Sequence, residues 1–157
     1  MKIGRLTLSD RASAGIYEDL SGPEIERVVK ECLDPEAVFV VRLLPDEQPV
    51  IESVLVDLCD CECCDVIIST GGTGPSPRDV TPEATRAVIE RELPGFGEAM
   101  RAGSFPKVPT AILSRATAGI RGQSLIINLP GNPKAIAECL PPLTAAIREC
   151  LRHIRTG

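Results

Sequence analysis

Apolar residues along the chain gather in short continuous runs. Ile3 to Leu8 is the first, interrupted by Arg5 and closed by Ser9-Asp10. Ala37 to Leu44 is the second, rich in Val and Leu and broken only by Arg42 among its apolar positions. Asp65 to Thr70 is the third, β-branched and stopped by two glycines, and Ser124 to Leu129 is the fourth, stopped by Pro130-Gly131. Runs this short and this apolar predict strands covered on both faces, as in a parallel sheet between helical layers. The stretches between them carry helix signals. Ser21 with Pro23 and Glu24 reads as a capping box opening a helix to about Leu33, and Asp46 can cap a helix from Gln48 to about Cys59. Thr81-Pro82-Glu83 opens a helix to about Glu92, and Asn132-Pro133 opens the C-terminal helical region, which Pro141-Pro142 must break or kink. Thr117 to Ile120, Arg121-Gly122 and Ser124 onward read as a hairpin that adds an antiparallel piece to one edge, whereas Leu93 to Pro109, with its Gly and Pro, fits no element clearly. Strands alternating with helices predict a single-domain α/β fold: a three-layer, doubly wound, mostly parallel sheet with an antiparallel edge. Its ligands are expected in the crevice beyond the strands' carboxyl ends.

Composition narrows the function. The 157 residues carry a formal net charge of -5 and only one Tyr, three Phe and no Trp, which argues against a nucleic-acid footprint and against base-stacking platforms. No run approaches the roughly 20 apolar residues of a membrane helix, and the N-terminus does not read as a signal peptide. Seven cysteines, four of them crowded at Cys59, Cys61, Cys63 and Cys64, make no disulfide framework, so a reducing cytoplasm is the expected compartment. The cluster has no second cluster or histidine at metal-site spacing, and Cys32, Cys139 and Cys150 fall in helices as small buried hydrophobes. His153, the sole histidine, has no acid or cysteine partner in sequence. The patterns of P-loops, Rossmann dinucleotide sites and hydrolase elbows are missing.

What remains is a rim of loops after the strands. Thr70-Gly71-Gly72-Thr73-Gly74 directly follows the third strand: three residues without Cβ let backbone N-H groups approach an anion, and two threonines add hydroxyls. A tight turn that merely reverses the chain is the alternative. The continuation Ser76-Pro77-Arg78-Asp79-Val80-Thr81-Pro82 brings a cation and a carboxylate to the mouth of a helix, where anions are favoured. Arg78 can steady a phosphate; Asp79 beside a phosphate is repulsive unless a divalent cation lies between, which predicts Mg2+. Asp46, with Glu47 after Pro45, comes from another strand end on the same side and can share that ion, or be a plain helix cap. Asp10-Arg11-Ala12-Ser13 supplies a third polar loop. Lys134, after Pro130-Gly131-Asn132-Pro133, can offer its ammonium to a phosphate or simply be solvated.

The same segments resemble a known family. Ser9-Asp10-Arg11-Ala12-Ser13 with Gly15 and Tyr17, Leu44-Pro45-Asp46-Glu47, Thr70 to Gly74, Arg78 to Pro82, Pro94-Gly95-Phe96-Gly97-Glu98, Ala111-Ile112-Leu113-Ser114-Arg115 and Asn128 to Lys134 run in order along the chain. They are similar to the MogA-type molybdopterin adenylyltransferases, whose relatives include MoaB and the G domain of gephyrin. The resemblance implies adenylylation of molybdopterin by Mg-ATP with release of pyrophosphate, in molybdenum cofactor biosynthesis. It implies Asp46 and Asp79 as functional acids and metal ligands, Gly71 to Gly74 as a nucleotide-phosphate cradle, and Ser114 with its neighbour Arg115 in a stretch linked to molybdopterin. A homotrimer and a molybdenum insertase as partner are implied as well. The alternatives are a non-catalytic molybdopterin carrier or scaffold and a nucleotide-pyrophosphate hydrolase of the CinA type.

Overall fold

The computed structural model describes residues 1–157. The chain runs β1 (Lys2–Leu8), a short helix α1 (Asp10–Ser13), α2 (Ser21–Cys32), β2 (Val38–Leu44), α3 (Gln48–Val56, prolonged by a π-helical turn over Asp57–Cys61), β3 (Val66–Thr70) and α4 (Thr81–Val88). It continues through β4 (Arg91–Glu92), α5 (Gly95–Ser104), a 3-10 turn (Pro109–Leu113), β5 (Ala118–Arg121), β6 (Ser124–Leu129), α6 (Pro133–Cys139), a 3-10 turn (Pro141–Leu143) and α7 (Thr144–Thr156).

The six strands form one sheet in the order β2-β1-β3-β6-β5-β4. The first four are parallel, and β5 and β4 add an antiparallel edge. Side chains alternate across this sheet, so its two faces feed two cores. Ile3, Val66, Ile68, Leu125 and Ile127 pack with α2, α5, α6 and α7; Leu6, Ile67 and Ile126 pack with α3 and α4. All eight of these strand residues are fully buried, which is why the central strands read as short runs rich in apolar residues.

Three local expectations are corrected. The helix opened by Thr81 ends at Val88, because Arg91–Glu92 leaves it to pair with β5. Ser21 is the first helical residue instead of a capping side chain; the carboxylate of Asp19 accepts from the Gly22 N-H, and the Ser21 hydroxyl donates to the Gly131 carbonyl at 2.6 Å. The unassigned stretch after Leu93 contains α5, whose Phe96 and Met100 enter the core. Asn132 caps α6 as its sequence indicates, accepting from the Lys134 N-H at 2.9 Å, and Pro141-Pro142 separates α6 from α7.

No helix is long and apolar enough to cross a membrane. The four crowded cysteines sit before β3, at the amino end of the parallel strands, with Cys59 and Cys64 buried and Cys61 and Cys63 exposed.

Candidate active site

The loops that follow β1, β2, β3 and β6 all emerge at the carboxyl ends of parallel neighbours, so the topology alone brings Asp10, Asp46, Gly71 and Gly131 together. The turn after β3 is built from left-handed backbone, with φ of +96° at Gly71 and +66° at Gly72. A Cβ on Gly71 would fall 2.3 Å from the Leu8 carbonyl, so this position needs glycine twice over. The loop is stitched to its neighbours: Gly71 N-H donates to Leu129 O, Thr70 Oγ1 donates to Pro130 O, and Thr81 gives Gly71 O its hydroxyl and Gly72 O its N-H. The N-H groups of Gly72, Thr73 and Gly74 donate to nothing within the chain. Three consecutive free amides in a turn are the chemical make-up of an anion cradle.

Asp46 and Asp79 flank this cradle. A Cβ placed on Gly72 would sit 3.0 Å from Asp46 Oδ1, and one on Gly74 would sit 2.9 Å from Asp79 Oδ2. Asp46 Oδ2 accepts from the Asp10 N-H at 3.0 Å, while Asp46 Oδ1 is buried and without a partner. Burial pushes the Asp46 carboxyl above the ordinary aspartate range, with the negative charges of Asp10 and Asp79 adding to the shift. An unpaired, desolvated carboxylate oxygen within the field of other carboxylates is what a cation corrects. Two acids with room for substrate oxygens fit Mg2+, which keeps waters and phosphate oxygens among its six ligands.

Two clefts open on either side of the ridge formed by Gly71-Gly72 and Pro130-Gly131. The first, about 530 Å³, is lined by Thr7, Ser9, Tyr17, Asp19, Asp46 and Gly131, with Thr70 and Gly71 on the ridge side. Its walls are acidic. The second, about 410 Å³, is lined by Thr73, Gly74, Arg101, Lys107, Ser114 and Lys134, with Pro130 on the ridge side. Here Arg101, Lys107 and Lys134 share the wall with one acid, Glu138, which Lys107 approaches to 3.8 Å. One side therefore suits hydroxyls and a metal-bound ligand, and the other a free anion.

The expected residues are thus sorted. Asp46, Thr70, Gly71 and Gly131 line the acidic cleft; Thr73, Gly74, Ser114, Pro130 and Lys134 line the cationic one; Gly72 and Asp79 line neither. Asp10, Ser13 and Arg78 stand on the outer rim. There the Asp10 carboxylate takes both Nε and Nη2 of Arg78, which holds it below the usual aspartate range, and Ser13 turns its hydroxyl onto the Asp10 carbonyl. Arg78 also pairs with Glu47 at 3.0 Å and is about half exposed. Arg115 lies behind the loop, bound to protein groups.

Reasoning from sequence did not single out Asp19, Arg101 and Lys107. Asp19 was detectable through Arg5: a cation inside a buried strand needs an acid, and Arg5 is 8% exposed and pairs with Asp19 and Glu26. Arg101 and Lys107 come from the stretch whose Gly and Pro content hid α5 and gave no such signal.

Residues 4–149 match the family model described as a probable molybdopterin binding domain. The molybdopterin adenylyltransferase of Helicobacter pylori (strain ATCC 700392 / 26695) is 55% identical over 149 residues, covering 95% of this chain and 85% of that protein. The molybdopterin adenylyltransferase of Escherichia coli K12 is 51% identical over 140 residues, covering 89% and 72%. Among solved structures, the molybdopterin biosynthesis enzyme MoaB of Thermus thermophilus superposes with a TM-score of 0.90 at 41% identity, covering 99% of this chain and 97% of that one.

Proposed function

Because the chain belongs to the family of the probable molybdopterin binding domain, we propose that it is a molybdopterin adenylyltransferase of molybdenum cofactor biosynthesis, acting on molybdopterin with Mg-ATP. The observation that carries this reading is the meeting of two chemically different clefts at one glycine cradle flanked by Asp46 and Asp79. Relatives 51–55% identical bear that enzyme's name.

In the reaction, an oxygen of molybdopterin's terminal phosphate forms a bond to the α-phosphorus of ATP. The bond from that phosphorus to the bridging oxygen breaks, and pyrophosphate leaves. Such chemistry asks for alignment and charge neutralisation rather than a nucleophilic side chain. The cationic cleft takes molybdopterin: Lys134 and Lys107 draw its phosphate, and Ser114 contributes a polar contact. The acidic cleft takes the nucleotide, with its phosphates reaching the amides of Gly72, Thr73 and Gly74. Asp46 and Asp79 would hold Mg2+ there, and the ion, when bound, neutralises charge on the phosphate oxygens. Asp10 orients Asp46 through its backbone N-H, and Arg78 keeps Asp10 ionised and fixed. Thr70 Oγ1 donates to Pro130 O and so joins the turn after β3 to the turn after β6.

We further infer a cytoplasmic homotrimer that passes adenylyl-molybdopterin to a molybdenum insertase. The deciding experiment supplies purified protein with ATP, Mg2+ and molybdopterin and measures pyrophosphate. Release that depends on all three is expected. Tight molybdopterin binding without release identifies a carrier, and nucleotide cleavage without molybdopterin identifies a hydrolase.

A further inference from the structure

The loop Thr73–Asp79 has no regular structure, and its Pro75, Ser76, Pro77 and Arg78 are exposed, yet Asp79 and the Gly74 amide must be held to a fraction of an ångström for phosphoryl chemistry. Its internal ties are three, all at the exposed tip: Asp79 N-H to Ser76 O, Ser76 N-H to Asp79 Oδ2 and a long one from Arg78 N-H to Ser76 Oγ. Arg78 links it to Asp10 and Glu47, but side chain to side chain and at its exposed outer edge only.

Arg115 is different, because it grips main chain. Its Nε donates to Gly74 O at 2.9 Å and its Nη2 to Asp79 O at 2.7 Å, so one planar cation holds both ends of the loop. The guanidinium is itself seated on Glu83 of α4, whose carboxyl it keeps below the usual glutamate range. The Arg115 backbone N-H donates to Thr73 O at 2.7 Å. Arg101, in the wall of the cationic cleft, donates from Nη1 to the carbonyls on either side of Arg115: Ser114 O at 3.1 Å and Ala116 O at 2.9 Å. Ser114, next in the chain, lines that same cleft.

We propose that Arg115 is a positioning residue for adenylyl transfer: its guanidinium, anchored on Glu83, sets the loop that carries Asp79 and the phosphate cradle. It touches no substrate, in contrast to the direct ligand role expected from sequence. Arginine is required because its fork offers donors along separate directions to Gly74 O, Asp79 O and Glu83, whereas a lysine ammonium is a single point. The proposal rests on the adenylyltransferase reading.

The test compares wild type with Arg115→Lys and, should that variant fail to fold, Glu83→Gln. Amide hydrogen exchange of residues 74–79 is followed in substrate-free, metal-free protein, molybdopterin binding by fluorescence titration, and kcat by pyrophosphate release. Expected are exchange about tenfold faster in that loop alone, kcat lower by about tenfold or more, and molybdopterin affinity within about twofold of wild type. Unchanged exchange with lower activity overturns the proposal, since Arg115 would then act on substrate. Faster exchange with unchanged activity overturns it too. A wild type that releases no pyrophosphate removes the adenylyltransferase reading instead, a result the variants do not influence.

Discussion

Asp46→Asn is expected to make the protein more stable while disabling it. In the metal-free protein Asp46 Oδ1 is buried with no hydrogen-bond partner, and its carboxyl is harder to ionise than usual because it is desolvated and faces Asp10 and Asp79. Asparagine is no better hydrogen-bonded there, but it removes the charge; desolvating an uncompensated group costs about 1–3 kcal/mol or more, and the half-buried setting of this residue argues for a gain of about 1. Unfolding entropy near 2.1 cal/mol/K per residue, over 157 residues, makes about 1 kcal/mol equal to about 3 °C in melting temperature. The native pKa lies above the unfolded value, so the native state binds this proton more tightly. Its ionisation penalty is fully present above the native pKa and disappears as pH falls below the unfolded one. The gain from Asp46→Asn should therefore be full at pH 7 and fade towards pH 3. With no Trp in the chain, the assay is differential scanning calorimetry or far-UV circular dichroism in chelator-treated buffer. Mg2+ at ten times its dissociation constant should then raise wild type by about 1.4 kcal/mol and leave the variant unmoved, reversing their order. A variant that melts at or below wild type at pH 7 without metal, or a gain that persists undiminished at pH 3, refutes the reasoning.

Asp79→Asn should keep the Ser76 contact and molybdopterin binding but lower kcat on the order of 100-fold, read by pyrophosphate release; full activity would remove Asp79 from the mechanism. Gly72→Val should weaken ATP binding in titration calorimetry, since its Cβ would land 2.3 Å from Thr81 Oγ1 at a φ of +66°; unaltered affinity would count against the cradle. Lys134→Ala should raise the KM for molybdopterin about tenfold with little change in kcat, and a fall in kcat alone would contradict its placement as a binding contact. Asn128→Ala removes an amide that donates to Ser69 Oγ and Thr85 Oγ1 at full burial; a loss of about 2 kcal/mol, or about 6 °C, is expected by calorimetry.

The layered sheet was legible because its central strands are apolar on both faces, and residues such as Ile67, Ile68, Ile126 and Ile127 admit few other readings. The glycine run after β3 signalled a special turn, and Gly71 and Gly72 do adopt positive φ there. Boundaries were less legible. Thr81-Pro82-Glu83 announces where α4 starts, but its end at Val88 is decided by β4 pairing with β5, a tertiary event invisible locally. Asp46 carries the look of a helix cap, yet Glu47 is the capping position and Asp46 faces the cradle, because its partner Asp10 lies 36 residues away. That the Arg115 guanidinium engages Gly74 O, Asp79 O and Glu83 depends on how the β3 loop meets the chain before β5, which no local pattern encodes. The walls given by Asp19 and Lys107 depend on how an irregular stretch folds back, which no short motif encodes.

The ridge where Gly131 packs on Gly71 is a party wall made of main chain. A Cβ on Gly131 would lie 3.4 Å from the Gly71 Cα, and the wall's hydrogen bonds run backbone to backbone or from short hydroxyls. Mutation has almost nothing to reshape there, so the proposed meeting place of the two reactants is kept constant. Each chamber can then change its tenant independently, through Tyr17 and Asp19 on one far side and Lys107 and Glu138 on the other.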